Sequence, residues 1–117
     1  DSLKNNLLKI PYGMIPKMIE AVHFNNDKPE NKNILLPNKK DNKIKVYKDN
    51  KWIYRDKEQT IRDLMDGKYF ILDSHYEDNF NNLSSYDKNN YKKFQSNFTD
   101  EFESIKKECE LILLNNR

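Results

Sequence analysis

The sequence predicts an α+β fold: an N-terminal helix, a small antiparallel β-hairpin or three-stranded sheet, then helices ending in a long C-terminal helix. Three observations predict it. Ile15, Met18, Ile19 and Val22 recur at helical spacing. "KIKVYK" at 43–48 and "KWIYR" at 51–55 alternate with a period of two around Asp49-Asn50. Tyr91, Phe94, Phe98, Phe102, Ile105, Cys109 and Ile112 follow at intervals of 3, 4, 4, 3, 4 and 3, a heptad-like stripe with one stutter.

Taken in order, Leu3, Leu7, Leu8 and Ile10 form an apolar lead-in that "PYG" at 11–13 breaks. The first helix tolerates Pro16 in its first turn and ends near Phe24–Asn25. "NILLPN" is a short strand closed by Pro37. With a two-residue turn at Asp49-Asn50, Val46 pairs with Ile53 and Tyr47 with Trp52. One hairpin face then holds Ile44, Val46 and Ile53, and the other Tyr47, Trp52 and Tyr54 beside Lys43 and Lys45. Asp56 and Gln59 resemble a capping box, and Ile61, Leu64 and Met65 lead to Gly67, read as a stop or kink. Tyr69, Leu72, His75 and Tyr76 mark a second helical segment, with His75 partly exposed. "NFNNLSSYDKNN" at 79–90 is a polar loop before a final helix over 87–116. The division expected is a small α+β domain over 1–83 and a C-terminal helix over 84–117, which packs on that domain or self-associates.

The chain has 117 residues, one domain's worth, with 36% apolar and 34% charged residues, so its apolar residues must be concentrated to fold. A net charge of +2 is too small to indicate nucleic acid by itself. Its distribution says more. Residues 1–60 carry thirteen Lys/Arg against eight Asp/Glu, and residues 61–117 eight against eleven. Abundant Lys, Asn, Ile, Tyr and Phe are also what AT-rich codons supply, which discounts the lysines as a functional signal. A single cysteine excludes an internal disulfide and any Cys-based zinc site, and suits a reducing compartment. No apolar run spans a membrane and no signal peptide is visible, so no membrane partner is expected. The start at Asp1 reads as a domain cut from a longer protein.

Three groups of residues invite a functional reading. His23 sits at the end of the first helix, where imidazole bonds free carbonyls and its charge suits the helix dipole. With Asn25, Pro29, Glu30, Asn31 and Asn33 it shapes a helix-to-strand loop, because asparagine accepts left-handed angles and bonds its own backbone. The sharper reading, a metal-dependent nuclease on His23 and Glu30, lacks a second histidine at ligand spacing. The second group is the hairpin set Lys43, Lys45, Tyr47, Lys48, Lys51, Trp52, Tyr54 and Arg55, where aromatics stack bases and cations neutralise phosphate. Against it stands the reading of Trp52 as core beneath helices on both sheet faces. The third is the Tyr91–Ile112 stripe, in which Cys109 is a small buried hydrophobe rather than a nucleophile. No glycine-rich phosphate loop, Ser-His-Asp set or paired catalytic carboxylates can be picked out, so no enzyme and no cofactor is expected.

The runs "MIEAVHFNNDKPENKNI", "NKIKVYKDNKWIYRD" and "TIRDLMDGKYFIL" resemble a domain of giant DNA virus proteins. Its pattern is "I..iHFN...PEN.NI", then a "Y.D..W" hairpin and a helix. The positions matching it are His23, Asn25, Pro29, Glu30, Asn31, Asn33, Tyr47, Asp49 and Trp52, within roughly 14–76. In that family the domain tends to lie behind a coiled coil, with a zinc finger or KilA-N-type domain further upstream. The resemblance implies an intracellular viral protein associated with DNA, in the host cytoplasm, the viral factory or the virion. The long C-terminal helix lies outside the pattern.

These readings rank as follows. First stands a non-enzymatic interaction module, a homo-oligomer or partner of another protein through the C-terminal stripe. A nucleic-acid-binding module on the basic aromatic hairpin 43–57 comes second, and the His23 nuclease a remote third.

Overall fold

The computed structural model describes residues 13–117. The lead-in Leu3 to Ile10 and Pro11-Tyr12 lie outside the described residues. Helix α1, Met14–His23, buries Met14, Ile15, Met18 and Ile19 on one side. Pro16 falls in the first turn, where a backbone N–H has no intrahelical acceptor to lose. The helix ends at Phe24, whose N–H reaches the Glu20 carbonyl at 3.1 Å.

A 3₁₀ turn at Pro29–Asn31 leads to three strands, β1 (Ile34–Leu35), β2 (Lys43–Lys48) and β3 (Lys51–Asp56). They form an antiparallel sheet in the order β1-β2-β3. Val46 pairs with Ile53 and Tyr47 with Trp52, as the alternation predicts. Asp49 and Asn50 have φ of 54° and 66°, the left-handed pair that a two-residue type I′ turn requires. Asn and Asp bear that conformation better than other residues with a side chain.

Strand β3 runs directly into α2, Lys57–Asp78, and the Asp56 carboxylate accepts the Gln59 N–H at 2.9 Å as its cap. This helix neither stops nor divides at Gly67. A helix-interior glycine costs only about 1 kcal/mol relative to alanine. That is outweighed by Ile61, Met65, Leu72 and Tyr76, all buried on a single continuous face. The same face takes in His75, which is buried, not partly exposed.

The C-terminal segment also departs from expectation. The 87–116 helix is two: α3, Ser85–Asn97, and α4, Phe102–Asn115. The break falls in the stutter. Two successive four-residue steps, Phe94 to Phe98 to Phe102, turn the apolar stripe by about 80° at 100° per residue. A straight helix would carry the second half of the stripe away from the core. The turns at 98–101, with Thr99 and Asp100 as weak helix formers, re-aim it.

The core is internal to the chain. Helix α4 lies along α1 and also touches α2 and β1, while α2 touches β2 and β3. Ile105, Cys109 and Leu113 are buried against these elements, together with Ile34, Leu36 and Ile44 from the sheet side. Tyr76, Tyr91, Phe94, Phe98 and Phe102 run as a line of ring contacts with centroids 4.4–5.7 Å apart. On the surface, Lys106 pairs with Glu58 and Glu103, and Arg62 pairs with the same two carboxylates, which ties α4 to α2.

Candidate nucleic-acid interface

The hairpin register sorts its side chains by pleat. Cross-strand partners share a face, so Lys43, Lys45, Tyr47, Trp52, Tyr54 and Asp56 stand together. Ile44, Val46 and Ile53 stand on the opposite face, where Ile44 is fully buried and the other two half-buried. The register also places Lys48, Lys51 and Arg55 on that second face, at its ends, so the basic set named from the sequence does not form one surface. A period of two separates them from the aromatics.

The helices cover only the Ile44 side. Tyr47, Trp52 and Tyr54 retain 44%, 46% and 66% exposure, so Trp52 is not core. Trp52 meets Tyr47 edge to face at a centroid distance of 5.3 Å, and the Lys45 ammonium lies 5.2 Å from the Tyr54 ring centroid. The face is thus three aromatic rings interleaved with Lys43 and Lys45, with Asp56 across from Lys43 at its edge. Leu35 of β1 extends it, being registered with Lys45. Residues 39–56 carry seven Lys/Arg against three Asp, most of the positive excess of the first half.

The His23–Asn33 loop lies beside this face. His23 does not bond the carbonyls ending its own helix; its Nδ1 lies 3.0 Å from the Asn31 carbonyl and 3.0 Å from Asn33 Oδ1. Two oxygens at Nδ1 place the proton there and leave Nε2 an acceptor, buried and without a partner among the described residues. Nor is the ring a cation at the helix end: burial, then the nearby Lys68 ammonium, push its pKa below 6.5. Asn25 Oδ1 accepts the Asp27 N–H at 2.9 Å, Pro29 opens the 3₁₀ turn, and Glu30 is exposed. The loop is therefore a hydrogen-bonded bridge from α1 to β1, with its histidine as an internal strut. Among the described residues no three His, Cys, Asp or Glu side chains are grouped to hold a metal.

A pH dependence follows. The unfolded chain gains a proton on His23 near 6.5, while the folded chain resists it to lower pH, so stability falls as pH drops through 6.5. The urea midpoint is expected to be lower at about pH 5.5 than at about pH 7.5, and His23→Gln to remove much of that difference. An equal acid sensitivity in both proteins would assign it to other groups.

The stripe residues point inward. Tyr91, Phe94, Ile105 and Cys109 are buried in the chain's own core, and Phe98, Phe102 and Ile112 are half-buried against it. The Tyr91 hydroxyl donates to Asp73 Oδ1 at 3.0 Å, and burial together with Asp73 raises the phenol pKa well above its ordinary value. Burial pushes the Cys109 thiol up to about 12. At the apolar C-terminal end Leu113 is buried and Leu111 is left exposed.

Lys68 is the residue the sequence reading passed over, buried beside His23 with its pKa lowered by that burial. Its place in the series Ile61, Met65, Lys68, Leu72 was the available signal, because that spacing puts a lysine on an apolar helix face. Among the described residues no helix is long and apolar enough to cross a membrane. No protein-family model, curated protein or solved structure matches the chain, and the resemblance to the giant-virus domain rests on the residues quoted for it.

Proposed function

We propose that the protein is a non-enzymatic nucleic-acid-binding module that takes a single strand on the Lys43/Lys45/Tyr47/Trp52/Tyr54 face. The observation that carries this reading is the exposure of Tyr47, Trp52 and Tyr54 on one pleat beside two lysines. Three exposed rings on one pleat offer faces for stacking, and bases stack on aromatic rings with little regard to sequence. A single strand suits the site better than a duplex, whose bases are already stacked on one another.

Binding is expected to weaken with salt. With two phosphates neutralised by Lys43 and Lys45 on a single strand, log K falls against log salt with a slope of about −1.4. Lys43→Glu with Lys45→Glu should flatten that slope and remove most binding at moderate salt. Unaltered affinity in the double variant would exclude this face. Both side chains lie on the solvent side, so the melting temperature serves as the control for folding.

Self-association through the C-terminal stripe is the weaker reading, because those residues already have partners within the chain.

A further inference from the structure

Beside the aromatic face lies a cleft of about 370 Å³, lined by Phe24, Asn26, Lys32, Leu35, Trp52 and Asn116. We infer that this cleft is a slot for one unpaired nucleobase, next to the strand that Tyr47 and Tyr54 stack. The inference rests on the nucleic-acid reading above and adds where a base is held and by what.

The walls supply what a base needs. Trp52 and Phe24 bring aromatic surface, and Leu35 adds an aliphatic one from β1. The polar groups are three, and their hydrogen bonds fix what each has left to offer. Lys32 Nζ donates to Asn26 Oδ1, so the Asn26 amide oxygen faces the lysine and its NH₂ stays available as a donor. Asn116 Nδ2 donates to the Ile112 carbonyl at 2.8 Å, so its Oδ1 stays available as an acceptor. One amide donor and one amide acceptor therefore line the same cleft. The Watson–Crick edge of every base offers a neighbouring donor and acceptor, so this pair accepts a base without demanding a particular one. The Lys32 ammonium, held by Asn26, supplies the charge that a flanking phosphate requires. The cleft is within the range of small-ligand sites, ample for one base and too small for a base pair with its backbone.

This gives the loop a second task. Its inner side is tied down by His23 through Asn31 and Asn33. Its outer side presents Asn26 and Lys32 to Trp52. The loop and the hairpin, far apart in kind, become two walls of one site.

The test is fluorescence anisotropy with a single-stranded homopolymer of about twelve nucleotides, compared with an abasic strand of equal length and with the matching duplex. Four proteins are compared: wild type, Asn26→Ala/Asn116→Ala, Asn26→Ala alone, and Lys45→Glu. Asn26 is exposed, so its single variant remains informative should the double one melt early. The slot predicts roughly ten-fold weaker binding by the double variant, and at least as large a loss on the abasic strand for wild type. Lys45→Glu should weaken all strands, abasic included, because it acts on phosphate. Wild-type binding unchanged by the asparagine substitutions overturns the slot and leaves the interface standing. Tighter binding to the duplex overturns the slot too, since paired edges cannot enter it. Absence of any binding by wild type overturns both.

Discussion

Ile105→Asp is expected to unfold the protein outright. Ile105 is 3% exposed on the side of α4 that packs into the core formed with α1 and α2. A carboxylate there loses its hydration and finds no cation facing it from the apolar cluster, a penalty of several kcal/mol on top of the lost packing. Domains of this size are stable by only about 5–15 kcal/mol, so one such substitution removes most or all of the margin. Ile105→Ala, which removes volume without adding charge, should cost roughly 2–5 kcal/mol and leave a cooperative transition at a lower midpoint. Near-UV circular dichroism and urea titration separate the two. The informative contrary outcome is an Ile105→Asp protein that melts cooperatively and merely halves its molar mass in light scattering. It would mean that the stripe meets another chain.

Trp52→Ala should do the reverse, sparing the fold and weakening the proposed binding of a single strand. The indole is nearly half exposed, so its loss forfeits the edge contact with Tyr47 and its covered half, about 1–2 kcal/mol, which leaves the domain folded. Base stacking on an aromatic is worth about 1–3 kcal/mol, so affinity for a single strand should fall roughly five- to 150-fold. Trp52→Phe should recover part of it. A Trp52→Ala protein that binds as wild type would remove the indole from the interface. A collapse in melting temperature would return it to the core. Because Trp52 is the one tryptophan, its emission should also quench as a strand binds to the wild-type protein.

Features set by neighbouring residues were legible in the sequence. The α1 face, the Asp49-Asn50 turn, the β2–β3 register and the Asp56 cap each depend on contacts within a few positions. Features that depend on a distant partner were not. Gly67 looks like a stop because local propensity is all a sequence displays, whereas the burial that overrides it comes from α1 and α4. The break after Asn97 was visible as a stutter, but its outcome was decided by where α1 lies. Which hairpin face is covered could not be read from an alternation with apolar and aromatic residues on both sides. The answer depends on α2 docking against Ile44. His23 was legible as a loop residue, but its acceptors, eight and ten positions ahead, were not. Lys68 was hidden by composition: among so many lysines, one on an apolar spacing draws no notice.

The enclosure of Cys109 makes the protein its own stopwatch. With a thiol fully screened from solvent and held as the unreactive acid, alkylating reagents meet it only when α4 lifts from α1. The pace at which label accumulates therefore counts these openings, molecule by molecule, under conditions where the population looks wholly native. A bound strand that steadies the ends of α1 and α4 would slow that count. Mass spectrometry could then register occupancy at one end of the chain's architecture from a sulfur atom sealed inside it.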